Sequence, residues 1–172
     1  MKNIVLSLCL VLLCSPASAY DLTLRDAPVQ VYFSPRGGAQ DALVATIGQA
    51  RKSIYVQAYS FTSAPIAKAL LEAHKRGVRI EAILDKGQKT AQYSGATFLR
   101  NEGIPVWIDA AHAIAHNKVM VIDSHVVVTG SFNFTKAAEE RNAENLLIVR
   151  DRGMARLYME NWQKHREHSE AY

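Results

Sequence analysis

The chain predicts an α/β fold, a mixed β-sheet flanked by helices on both faces as an α/β/α sandwich, and three features carry that prediction. Short runs rich in β-branched, aromatic and aliphatic residues alternate with helix-like stretches up to Pro105. Beyond Pro105 the pattern changes to successive strands joined by tight turns, and one amphipathic stretch closes the chain. No Pro/Gly/Ser linker, low-complexity tract or internal repeat divides the 172 residues, a length that suits one domain with an ordinary core.

The elements follow in order. Lys2, the apolar run from Ile4 to Cys14 and the small-residue pattern Ala17-Ser18-Ala19 have the form of a secretory signal cleaved after Ala19. The run is too short to span a bilayer, and leucines, not small residues, precede Cys9 and Cys14, so a lipid anchor is not expected. Residues 1–19 are thus expected to be a leader, and residues 20–172 a single domain that is exported and has no stable membrane association. Those 153 residues hold 19 Lys+Arg against 16 Asp+Glu and no cysteine. Disulfide support and thiolate chemistry are excluded. The mild basicity is compatible with an anionic partner.

Strands are predicted over Val29 to Phe33, Ser53 to Phe61, Val78 to Asp85 and Pro105 to Asp109. Between them the clearest helix runs from Ala64 to Arg76, with Ser63 as cap, Pro65 in the first turn and Gly77 as stop. Asp41 to Arg51 and Thr90 to Asn101 are the other helical stretches. Then come "KVMVID" and "VVVTGSF" around Asp123-Ser124-His125, a polar segment from Lys136 to Asn142, the strand "NLLIV", and a helix from Met154 to His165.

One stretch does not read as plain core. "HNKVMVIDSHVVVTGSFNFT", His116 to Thr135, sets a histidine, a lysine and an aspartate into a buried hairpin. The spacing is H-x-K-x-x-x-x-D through His116, Lys118 and Asp123, followed by Gly130-Ser131-Phe132-Asn133 and by Glu144 in "NAENLLIV". Residues two apart on a strand share a face, so His116 and Lys118 are expected to emerge together, and Ser131 and Asn133 likewise from the next strand. Four polar groups would then meet around one anion.

This pattern resembles the phospholipase D superfamily, and especially its small bacterial exported endonucleases. The similarity extends to "YFSPRGG" (Tyr32 to Gly38), "YSFTS" (Tyr59 to Ser63) and "RNAENLLIV" (Arg141 to Val149). Most members of the family carry two such motifs, and this chain has one. The resemblance therefore implies a homodimer in which two copies complete one active site. It implies that one His116 attacks phosphorus to form a phosphohistidine while the other protonates the leaving oxygen, with Lys118, Ser131 and Asn133 holding the phosphate oxygens. Glu144 is expected to orient the imidazole, and Asp123 to join the catalytic set or to brace Lys118 or the hairpin. Lysines replace a divalent ion in this scheme, so no metal or other cofactor is expected and activity should resist EDTA.

The motif specifies phosphodiester chemistry better than substrate. The reading put first is an endonuclease cutting DNA, with RNA open as a further substrate, and with little sequence preference, because nothing resembles a base-reading module. The bacterial likeness implies the periplasm. The alternatives are a phospholipase acting on phosphatidyl lipids and a noncatalytic nucleic-acid-binding protein. Other polar residues have plainer readings. His112 and His116 lie four apart but lack an evident third zinc ligand, and His165 and His168 read as a solvated helix end. Tyr59, Phe61, Trp107 and Phe132 read as core, and Arg36 as either a phosphate contact or a turn residue.

Overall fold

The computed structural model describes residues 19–89 and 95–172. The expected leader, apart from Ala19, and the first turn of the helix expected from Thr90 lie outside the described residues. Eight strands form one sheet: β1 (Val29–Ser34), β2 (Ser53–Ala58), β3 (Arg79–Asp85), β4 (Val106–Asp109), β5 (Lys118–Ile122), β6 (Val126–Gly130), β7 (Glu144–Arg150) and β8 (Glu170–Ala171). Five helices accompany them: α1 (Ala39–Gln49), α2 (Ala64–Lys75), α3 (Gly95–Asn101), α4 (Lys136–Glu140) and α5 (Arg152–Glu167). The spatial order is β1-β7-β6-β5-β2-β3-β4-β8, with β2, β3 and β4 parallel and the other pairings antiparallel.

Alternation along the strands divides the core into two layers. On one face Ile54, Val56, Ile80, Ala82, Leu84, Met120, Ile122, Val128 and Ile148 pack under Leu43 and Ile47 of α1, Ile66 and Leu70 of α2 and Leu99 of α3. On the other, Val119, Val121 and Val127 meet Ala155 and Tyr158 of α5, and Trp162 donates its indole N–H to the Val56 carbonyl at 2.9 Å. The predicted sandwich is the observed architecture.

The helix ends follow their local chemistry. The Ser63 hydroxyl caps α2 at Ile66 N–H, Thr135 caps α4 at Ala138 N–H, and the Asp151 carboxylate caps α5 at Met154 N–H, 2.7 Å away. Four details depart from the sequence expectations, the first being that β2 ends at Ala58, three residues short of Phe61. The polar segment after Lys136 opens with the short helix α4, the chain ends in the two-residue strand β8, and β6 stops at Gly130 instead of running through Phe132. At Gly130 (φ 143°) a Cβ would overlap the Asn145 carbonyl oxygen, so the β6–β7 approach at this point requires glycine.

One end of the sheet gathers the chemistry. The register pairs Ala58 with Lys118, Leu84 with Ile108, Gly130 with Leu146 and Ser34 with Glu144. Hence the carboxyl ends of β1, β2, β3, β4 and β6 and the amino ends of β5 and β7 lie along one edge. Ligand sites of α/β sheets commonly form outside the carboxyl ends of parallel strands.

Candidate active site

His116 precedes β5 in extended chain and is exposed, whereas Lys118, two residues on, is 6% exposed and shares the face of Met120 and Ile122. The Lys118 ammonium donates to His116 Nδ1 at 2.9 Å and to the His116 carbonyl at 2.7 Å. An ammonium has no acceptor, so Nδ1 takes this bond with its lone pair, which assigns the ring proton to Nε2. Burial pushes the Lys118 pKa below the ordinary lysine value, and the nearby Glu144 carboxylate offsets part of that drop.

Tyr59, just beyond β2, completes this corner. Its ring lies 4.5 Å from the His116 ring and 5.1 Å from Lys118 Nζ, and its N–H donates to the Asn117 carbonyl. The aromatic face thus steadies both the imidazole and the ammonium. Sequence reading assigned Tyr59 to the core; the signal that marks it is its place at the carboxyl end of β2, directly across from the start of β5.

Ser131 and Asn133 leave β6 on irregular chain between buried Phe132 and Phe134. Ser131 is stitched to the start of β7: its N–H donates to the Asn145 carbonyl, and its hydroxyl oxygen accepts from Asn145 N–H at 3.0 Å. The side-chain oxygen of Asn133 is buried without a hydrogen-bond partner among the described residues. Glu144 opens β7 and accepts from Asn142 Nδ2 at 3.1 Å. It reaches Lys118 electrostatically, while the hydrogen bond to His116 Nδ1 belongs to Lys118. Arg36 is an exposed turn residue at φ 61° whose N–H donates to the Glu139 carbonyl, which ties the "YFSPRGG" segment to α4.

The structure does not bring Asp123 to this group. It stands at the far end of β5, about 16 Å of strand from Lys118. There its carboxylate accepts from the backbone N–H groups of Arg51, Lys52 and Ser53 at 2.7 to 3.0 Å. Burial raises its pKa, but these backbone donors outweigh burial and hold it below the usual carboxylate value. Asp123, in the turn of the β5–β6 hairpin, fixes the chain entering β2.

His165 and His168 are not a solvated helix end. With His112 they surround the buried Asp109 carboxylate at the end of β4. His112 is not paired with His116, as a four-residue spacing first suggests. A cavity of about 710 Å³ between α2 and α3, lined by Thr62, Lys68, Leu71 and Phe98 among others, contains none of the predicted site residues. The His116 corner is open at the sheet edge.

Comparison with known proteins fits this architecture. The family model described as "Cardiolipin synthase, PLD-like domain" matches residues 43–166. The chain belongs to the phospholipase D family. It is 43% identical over 139 residues to the phospholipase D of Rickettsia felis, covering 81% of this chain and 70% of that protein. It is 34% identical over 116 residues to the mitochondrial cardiolipin hydrolase of Xenopus tropicalis, of which it spans 55%. Among solved structures, the phospholipase D family member Nuc from Salmonella typhimurium superposes with a TM-score of 0.82 at 39% identity. That superposition covers 86% of this chain and 99% of Nuc. NucT from Helicobacter pylori gives 0.80 at 26% identity, covering 86% and 100%. Family membership places the protein among phosphodiester hydrolases.

Proposed function

We propose that this member of the phospholipase D family is a metal-independent endonuclease that hydrolyses DNA, with RNA open as a further substrate and with little sequence preference, at an active site shared by two copies of the chain. The observation that carries the reading is the single His116–Lys118 pair at the sheet edge, an exposed imidazole whose Nδ1 is bonded by a buried ammonium. Support comes from the match to Nuc and NucT across nearly their whole lengths. No helix among the described residues is long and apolar enough to cross a membrane.

In the proposed reaction a phosphate oxygen draws Lys118 away from His116 Nδ1. Solvent carries the ring proton from Nε2 to Nδ1, where it is directed toward Glu144, and the Nε2 lone pair becomes free to attack phosphorus. His116 of the second copy protonates the departing oxygen and afterwards activates the water that cleaves the phosphohistidine. Both lysines, with Ser131 and Asn133, stabilise the charge on the non-bridging oxygens. Because the two histidines act in opposite protonation states, the pH profile reports the pair.

The surface proposed for the second copy is the outward face of β1. Val29, Val31 and Phe33 alternate along this edge strand, and Phe33, next to the site end, is 68% exposed. Contiguous apolar surface of this kind marks association sites. Phe33→Glu is expected to shift sedimentation toward the monomer and to remove cleavage while leaving the fold intact.

A second reading, phospholipase activity, is favoured by the similarity to the phospholipases D of Rickettsia felis and Rickettsia prowazekii. A noncatalytic nucleic-acid-binding protein is the third reading. One experiment separates them: plasmid cleavage in EDTA by the purified protein, beside a His116→Ala variant and a phosphatidylcholine vesicle assay. Cleavage that survives EDTA and vanishes in the variant supports the proposal. Vesicle hydrolysis without nuclease activity transfers it to the lipid reading, and binding without turnover to the third. Export with cleavage after Ala19 belongs to the same proposal and is checked by the amino-terminal sequence of the secreted protein.

A further inference from the structure

A second cluster of histidines lies away from His116. Asp109, at the carboxyl end of β4, is fully buried; His112 follows it in the loop, and His165 and His168 come from the end of α5. Around Asp109 Oδ2, His165 Nδ1 lies at 2.7 Å, His112 Nδ1 at 3.2 Å and His168 Nε2 at 3.3 Å. The three imidazole rings pack with centroids 4.9 to 5.3 Å apart. One ligand atom from each of the four residues falls within 4.8 Å of all the others.

We propose that Asp109, His112, His165 and His168 form a binding site for a divalent transition-metal ion, Zn²⁺ by its ligand chemistry. Three imidazoles and a carboxylate are a donor set that zinc takes in tetrahedral geometry. Zinc–ligand bonds of about 2.0–2.1 Å make tetrahedral edges of about 3.4 Å, and two of the three distances to Asp109 Oδ2 are already close to that. His165 must draw back, and the imidazole nitrogens, which lie within 4.8 Å of one another, must close toward that edge. His112 and His168, with 45% and 37% of their side chains exposed, leave an entry path, while Asp109 is held from below by the Ala111 N–H.

The site is structural in its effect. It fastens the end of α5 to β4 and to the loop 110–117, which leads directly into His116. The same loop is already held by Lys86 Nζ on the His112 carbonyl and by Asp85 on Ala115 N–H. The ion takes no part in cleavage, so the inference stands or falls apart from the proposed function.

The test uses the purified, tag-free protein, stripped with EDTA and dialysed, then titrated calorimetrically with Zn²⁺ and spectroscopically with Co²⁺. The expected result is one ion per chain and a tetrahedral Co²⁺ visible band. Melting is expected to rise by roughly 5–10 °C at zinc about a hundredfold above its dissociation constant. His165→Ala should weaken zinc binding by at least roughly a hundredfold and remove the band. The exposed His112→Gln gives the same outcome should the first variant not fold, and His116→Ala should bind as the parent does. Absence of stoichiometric binding overturns the proposal and leaves the imidazoles as hydrogen-bond partners of Asp109. So does binding that survives both His165→Ala and His112→Gln, or binding lost in His116→Ala.

Discussion

Two histidine-bearing corners flank one loop, residues 110–117, and they use the same side chain in opposite ways. At one, the exposed His116 turns Nδ1 to a buried ammonium, and its other ring nitrogen stays out of that contact. At the other, three imidazoles turn toward one buried carboxylate. Burial pushes Asp109 up, but the hydrogen bonds from His165, His112 and His168 outweigh it and hold it well below the usual carboxylate range. The neighbour decides the role: a cation beside the ring leaves a nitrogen for an incoming phosphate, whereas a carboxylate among three rings gathers nitrogens for a metal ion.

The sharpest way to break the comparison is to exchange the losses. His116→Ala is expected to lower kcat by at least about 10⁴-fold with melting unchanged, because an exposed nucleophile adds chemistry and little packing. His165→Ala should leave kcat within a few fold in saturating substrate below its own melting temperature and remove the zinc-dependent rise in melting. A His165→Ala variant that loses cleavage while folded would merge the two corners into one site.

Lys118→Met comes next, with kcat expected to fall about 10²–10³-fold, as for the loss of one donor to a developing oxyanion. It also has a signature in stability. A lysine whose folded pKa is lowered destabilises the fold while it is charged, and that cost is relieved as pH rises through the folded pKa toward the ordinary value. Urea titrations should show this alkaline gain in the parent and not in Lys118→Met.

The smallest effect is expected at Asp123. Asp123→Ala should cost about 1–3 kcal/mol of stability at neutral pH, from three backbone donors losing their acceptor, with little change in kcat. Its folded pKa is depressed, so the stability it adds is present above the unfolded carboxylate value and is lost as pH falls through the folded one. The parent and variant melting curves should converge in acid. A large loss of kcat with unchanged stability would return Asp123 to the catalytic set.

Much of the fold was legible because it is local. Val, Ile and Tyr runs marked β1 to β7, and Ser63, Pro65 and Gly77 bounded α2 to within a residue. The spacing of two was enough to set His116 and Lys118 side by side. It failed for Ser131 and Asn133 as strand neighbours, because β6 ends where Gly130 meets the Asn145 carbonyl, a contact made by distant chain. Tyr59 escaped notice for a similar reason: its partner ring is His116, brought there by the pairing of β2 with β5.

By itself the sequence determined the alternation of strands and helices, the single H-x-K motif and the family that motif resembles, since all of these are written in neighbouring residues and their periodicity. Tertiary structure alone decided that Asp123 caps the start of β2 and that His165 and His168 meet His112 over Asp109. The second outcome depends on β8, two residues too short to recognise, whose pairing with β4 sets the end of α5 beside Asp109. Side chains separated by more than fifty residues meet only when strand pairing and core packing offset the entropy of closing the chain between them, and no local pattern records that closure.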